Sequence, residues 1–148
     1  MAHNSTYTPL YHIIDTPDSL DKSVLERALI YILQDIEEEP RLFTIKFTDD
    51  AEIQQLNKDF RGKDKPTNVL SFPNDSDDYL GDIAISVDTI KREAEEQDKP
   101  YEHHMLHMII HGFLHLLGFD HIEDDEAEEM ESFEIAVLQE IGIKNPYI

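Results

Sequence analysis

The chain has no cysteine. Disulfides and thiolate ligands are thereby excluded, which fits a reducing compartment and leaves any metal site to other donors. Long apolar runs are missing too: no stretch approaches the roughly 18 uncharged apolar residues of a membrane span. The opening residues Met1 to Pro9 carry neither a basic leader nor an apolar core. A cytoplasmic protein with no membrane partner is expected. Basic residues are scarce, 12 Lys and Arg against 33 Asp and Glu, for a formal net charge of -21. That balance argues in general against a nucleic-acid partner, because phosphate contacts need Lys and Arg. The distribution matters more than the sum. Lys58, Arg61, Lys63 and Lys65 fall within one short segment, whereas Glu123-Asp124-Asp125-Glu126 with Glu128, Glu129 and Glu131 forms an intensely acidic run. Charges are screened over about 8 Å at physiological salt, so a local cationic rim can outweigh distant acids. The acidic run reads as a solvated helix face or a docking surface for a basic protein.

Internal repeats and low-complexity tracts are also absent, and 148 residues suffice for one domain spanning residues 1–148. Leu20, Val24, Leu25, Ala28, Leu29, Ile32, Leu33 and Ile36 recur at three-and-four spacing, which predicts an amphipathic helix ending before Pro40. Phe43, Ile45 and Phe47 alternate with polar residues as in a half-buried strand. Asp49 or Asp50 can cap a short helix running through Leu56 toward Phe60, and a turn-rich loop follows to Asn68. Val69 to Phe72 and Ile83 to Val87 read as two further strands, and Asp88 starts another helix. From Glu102 to Leu117 the chain is apolar almost all round, as a central buried helix should be. A last helix uses Met130, Phe133, Val137, Leu138 and Ile141 and ends at Gly142. The order implies an α+β domain, a small mixed sheet with helices packed over it.

Within the central helix lies His111-Gly112-Phe113-Leu114-His115-Leu116-Leu117-Gly118-Phe119-Asp120-His121. His111 and His115, four residues apart, place their rings one turn apart on one helical face, while Gly118 can end the helix and let His121 swing back. Three neutral nitrogen ligands with a vacant fourth place describe a catalytic zinc site, whereas a structural zinc is closed by four protein ligands. Imidazole also suits copper, nickel and iron, so zinc is the first metal and not the only one. Asp120 either accepts a hydrogen bond from a ligand's second ring nitrogen or caps the next turn. His107, one turn before His111, reads as a core histidine or as a group supporting the ligands, and His103 and His104 as residues framing a cleft.

A bound zinc polarises a substrate oxygen and activates water, which suits hydrolysis of an ester, amide or phosphodiester. His111, His115, Gly118 and His121 coincide with the metzincin protease spacing. Gly112 contradicts that reading, because the metzincin base is a Glu directly after the first ligand.

The His-Gly-x-Leu-His-Leu-x-Gly-x-Asp-His run from His111 to His121 resembles the signature of the bacterial YbeY family of zinc-dependent endoribonucleases. Arg61-Gly62-Lys63-Asp64-Lys65-Pro66-Thr67-Asn68-Val69-Leu70-Ser71-Phe72-Pro73 resembles its second signature, and Leu80-Gly81-Asp82-Ile83 its third. The usable resemblance begins near Leu56. It implies a mixed four-stranded sheet with about five helices around it, Zn2+ held by His111, His115 and His121, and cleavage of single-stranded RNA. The implied setting is 16S rRNA 3'-end maturation and ribosome quality control, with ribosomal RNA, the ribosome or its associated proteins as partners and no DNA. Arg61 is similar to the family's functional arginine, whose planar fork suits a phosphate and the charge developing on it; the alternative is a structural arginine tying down the loop. Lys63 and Lys65 add phosphate contacts, Thr67 and Asn68 form the loop, and the general base stays unassigned. Asp82 is a candidate for it, against a reading as a strand-ending residue. Two rivals remain: a metzincin-like protease, and a ribosome-associated factor whose zinc only stabilises the fold.

Overall fold

The computed structural model describes residues 7–120 and 123–147. Among them the elements are β1 (Tyr11–Ile14), α1 (Lys22–Ile36), β2 (Leu42–Thr48), α2 (Asp50–Arg61), β3 (Val69–Pro73), β4 (Tyr79–Ser86), α3 (Val87–Glu96), α4 (Tyr101–Leu116) and α5 (Asp124–Glu140). The sheet order is β1-β2-β4-β3, with β1, β2 and β4 parallel and β3 antiparallel to β4. Five helices about a mixed four-stranded sheet is the α+β architecture expected.

Local chemistry sets the element ends. The Asp21 carboxylate accepts the Ser23 amide at 3.0 Å and starts α1, and Asp49 accepts the Glu52 amide at 2.9 Å and starts α2. Ser86 rather than Asp88 caps α3, its hydroxyl accepting the Thr89 amide at 3.3 Å. Consequently β4 ends at Ser86 and the helix begins directly after it. At the far end of α4, Gly118 adopts a φ of 102°, which a side chain would resist, and the Phe119 amide returns to the Leu114 carbonyl at 3.0 Å.

Two strand segments escape periodicity. β1 has only four residues, Tyr-His-Ile-Ile, and depends on β2 for its pairing. β4 begins at Tyr79, four residues before the apolar run that marks it in the sequence. α5 likewise begins inside the acidic run, where the Glu123 amide donates to the Glu126 carboxylate at 3.3 Å and acids sit favourably at a helix start.

The sheet has unequal faces. Against one pack α1, α4 and α5, burying Phe43, Ile45, Ile83 and Ile85 with Leu29, Ile32, Ile109, Phe113 and Val137. Phe43 and Phe113 meet with ring centroids 4.8 Å apart and join β2 to α4. Across the sheet α2 makes a smaller cluster, Ile53 with Leu70 and Ala84, fringed by Leu56 and Phe72.

Candidate active site

Helix α4 presses on β3 and β4 closely enough that the residue after His111 must be small. A Cβ on Gly112 would lie 3.0 Å from Ile83 Cγ2, 3.2 Å from Ser71 Oγ and 3.2 Å from Val69 Cγ2. The close approach lets the Ser71 hydroxyl donate to the Gly112 carbonyl at 3.0 Å. A glutamate at this position would have to push the helix off the sheet, so the position of the metzincin base is closed here by packing.

His111 and His115 face each other on α4, with ring centroids 4.7 Å apart and Nε2 atoms 3.2 Å apart. Their other nitrogens meet groups that only accept. His111 Nδ1 lies 2.8 Å from Glu134 Oε2, and His115 Nδ1 lies 3.0 Å from the Phe119 carbonyl. Each Nδ1 therefore donates, which leaves the two Nε2 atoms to face each other. Such a pair needs positive charge between it, either an added proton or a cation. Two nitrogens bound to one tetrahedral ion at 2.0–2.1 Å sit about 3.3 Å apart, close to this spacing. The donor set thus fits a zinc-type ion at the pair. Among the described residues no group of three or more His, Asp or Glu is arranged to hold a metal. His121, the third expected ligand, lies outside the described residues. Asp120 is half-buried and lines a cleft of about 340 Å³ with Gly118 and Phe119.

Glu134 is the residue that sequence reasoning missed. It is fully buried on α5, beyond the acidic run that reads as a solvated face. Its Oε1 accepts from His107 Nε2 and from the Tyr147 hydroxyl, each at 2.6 Å, while Oε2 faces His111. Burial alone would push this carboxyl up. The hydrogen bonds from His107, His111 and Tyr147, with the charge at His111, outweigh it and hold the group down at about 2. Tyr147 is driven upward by its own burial and by the carboxylate beside it. One signal for Glu134 was present: it shares the stripe of Met130, Val137 and Leu138, the other buried residues of α5.

His107, expected as a core or supporting histidine, is buried and joins His111 through the shared Glu134 carboxylate. His104 is also buried, its Nε2 2.8 Å from Glu93 Oε1. Burial depresses its pKa, and Glu93 opposes that only in part. His103 lines a neighbouring cavity of about 400 Å³ with His104 and His107.

Arg61 is the last residue of α2 and is exposed. Among the described residues its side chain makes no hydrogen bond or ion pair, so tying down the loop is not its task. Other groups hold the loop: Asn57 Nδ2 donates to the Lys65 carbonyl at 2.9 Å, and Asn68 Nδ2 to Glu93 at 3.1 Å. Lys63 and Lys65 are exposed on it. The loop leads straight into β3, whose Ser71 is bonded beside His111. Asp82 sits in the middle of β4, bonded to Tyr79, and lines the α2 side of the sheet rather than the side of the histidines. That overturns its reading as a strand end and sets its carboxylate on the other face of the sheet from the histidines.

A one-domain α+β protein with a carboxylate-supported imidazole pair on a buried helix is the class that this geometry defines. Residues 14–142 match the family model described as Endoribonuclease YbeY, and the chain belongs to that family. The match begins well before Leu56, so the amino-terminal third carries family character that its motifs do not advertise. Among curated relatives, the Endoribonuclease YbeY of Bradyrhizobium diazoefficiens is 46% identical over 143 residues, covering 88% of this chain and 77% of the relative. The Endoribonuclease YbeY of Alteromonas mediterranea is 57% identical over 109 residues, covering 70% and 69%. The solution structure of TM1509 from Thermotoga maritima superposes with a TM-score of 0.64 at 29% identity, covering 89% of each chain. The chain is thus an endoribonuclease by family, and RNA is its substrate class.

Proposed function

We propose that this chain, acting as one domain over residues 1–148, is a cytoplasmic, zinc-dependent endoribonuclease. It cuts single-stranded RNA in 16S rRNA 3'-end maturation and ribosome quality control, meeting its substrate on the ribosome or with ribosome-associated proteins. The observation that carries the metal reading is the facing pair of Nε2 atoms on His111 and His115, each ring locked from behind by an acceptor. His111, His115 and His121 would hold the Zn2+. When bound, the ion supplies Lewis acidity toward a phosphoryl oxygen and an activated water.

The protein's own residues do the rest. Glu134 fixes the His111 ring and raises its basicity, and the Phe119 carbonyl does the same for His115. Asp120 supports the end of the site. Arg61, with no competing partner among the described residues, offers a planar fork to the scissile phosphate and the charge that grows on it. Lys63 and Lys65 hold neighbouring phosphates as point charges. Four of the twelve cations cluster at the end of α2 and on this loop, while the acidic surface elsewhere repels RNA that is not presented correctly. Proteolysis loses its base at Gly112, where the sheet leaves no room.

Metal analysis with cleavage assays on single-stranded and duplex RNA tests this reading. The wild type should bind about one zinc and cut only the single strand. His111→Ala should lose both properties, and Arg61→Ala should keep the metal but lose roughly a hundredfold or more in rate. Intact RNA after incubation with the metal-loaded wild type would sink it. Unchanged cellular rRNA processing in Arg61→Ala would favour a binding factor instead.

A further inference from the structure

On the face of the sheet away from α4, a groove of about 450 Å³ runs between α2 and the strands, lined by Ile14, Leu56, Phe60 and Phe72 with Thr44 and Asp82. Phe60 is 67% exposed, the most exposed large apolar side chain among the described residues. Its ring meets Phe72 edge to face, centroids 5.2 Å apart and planes at 67°. A single exposed aromatic is ordinary by itself. Its neighbours are not: Phe60 directly precedes Arg61 and lies in the segment that holds Lys58, Lys63 and Lys65. Among the described residues none of these four cations has an ion-pair partner, in a chain of net charge -21. The groove's own carboxylates are engaged, Glu52 by Lys46 at 3.1 Å and Asp82 by Tyr79.

The groove and the histidines lie on opposite faces of the sheet's terminal strand. β3 is the terminal strand of the sheet, and its side chains alternate between the two faces. Ser71 points to α4 and bonds Gly112 next to His111, and the next residue, Phe72, points to the groove. A strand cut at His111 need only turn around β3 to reach Phe72.

We infer that this groove is a nucleobase-stacking subsite. A base flanking the scissile phosphate packs on Phe60 against Phe72, while Lys58 and Arg61 take the phosphates on either side. Stacking on an aromatic ring tolerates any base and requires an unpaired one. The subsite thus gives a physical reason for acting on single strands, and it rests on the RNA reading above. The partner chemistry is single-stranded RNA rather than protein, because unpartnered cations border the ring on its own helix and loop.

The chain has no tryptophan, so Phe60→Trp installs a single tryptophan in the groove, which can be excited apart from the tyrosines. Titrating it with short 2'-O-methyl oligo(A) should quench the emission, saturably and less strongly as salt rises; duplex RNA of the same length should quench far less. In cleavage assays Phe60→Ala should raise KM for single-stranded RNA roughly tenfold, with kcat less affected, and Phe60→Tyr should restore it. Phe60 is exposed, so Phe60→Ala should leave the melting temperature unchanged and exclude misfolding as the cause. Emission indifferent to RNA, together with an unaltered KM in Phe60→Ala, overturns the subsite while wild-type cleavage still stands. Quenching in a protein that cuts nothing supports the subsite and sinks the nuclease reading alone.

Discussion

On the α4 face of the sheet Phe43, Ile45, Ile83 and Ile85 are at most 1% exposed, and three helices close over them. Across the same strands, α2 shields Ile53, Leu70 and Ala84 but leaves Phe60 in solvent and a groove beside it. The two faces carry different kinds of chemistry for that reason. A metal-type site needs imidazoles fixed in tautomer and direction, which demands buried acceptors and close packing. A binding surface for a flexible polymer needs exposed cations and an accessible ring instead. In the proposed reading the closed face holds the reacting centre, and the open face holds the chain being cut.

The closed face breaks most easily at Glu134. Replacing it with Ala leaves His107, His111 and Tyr147 facing a cavity, and urea unfolding should show a loss of about 3 kcal/mol. Glu134→Gln keeps the volume but not the charge; zinc titration should find affinity lowered roughly 10- to 100-fold. Full affinity in Glu134→Gln would mean that the carboxylate does not support the site.

Gly112→Ala sharpens the same contrast with one methyl group. Helix propensity favours Ala by about 1 kcal/mol, while crowding against Ile83 and Ser71 costs about 1–3 kcal/mol. Calorimetry should show a net destabilisation, accompanied by slower cleavage as α4 shifts from β3. A more stable, fully active variant would show that the close approach is dispensable.

A smaller effect is expected between the faces, where Asp50 ties α2 to α3. Its Oδ1 accepts from Ser86 at 2.7 Å and Thr89 at 2.5 Å, and Oδ2 pairs with Arg92 at 3.1 Å. Burial pushes this carboxyl up, but the bonds from Thr89, Ser86 and Arg92 outweigh it and hold it below its ordinary 3.8. A depressed carboxyl stabilises the fold above that ordinary value and loses its contribution as pH falls through the folded-state value. Acid unfolding of Asp50→Asn should accordingly show less pH dependence below 3.8 than the wild type. The smallest change belongs to the open face, where Phe60→Ala should move stability by less than about 0.5 kcal/mol.

How much of this was legible follows from the reach of each signal. The helix bearing His111 and His115 was readable because periodicity, ring spacing and Gly118 all act within a few residues. The Lys58 to Lys65 cluster was readable for the same reason. Glu134 was not, because it stands just beyond an acidic run that reads as solvated, and only contact with His107 and His111 from another helix makes it a buried acceptor. β1 was missed because four residues carry too short an alternation, and a strand that exists by pairing with β2 has its cause elsewhere in the chain. Asp82 was misread because a lone polar residue at a strand looks like an end, whereas the pleat merely turns it to the groove side.

Taken alone, the sequence determined the helices, the paired imidazoles and the clustering of cations, since these depend on neighbours along the backbone. Only the tertiary structure decided that α4 must touch the sheet at a glycine, that a glutamate from α5 would orient His111, and that one face would stay open beside Phe60. Those outcomes depend on which surfaces meet, and burial changes the chemistry of a side chain more than its place in the chain does.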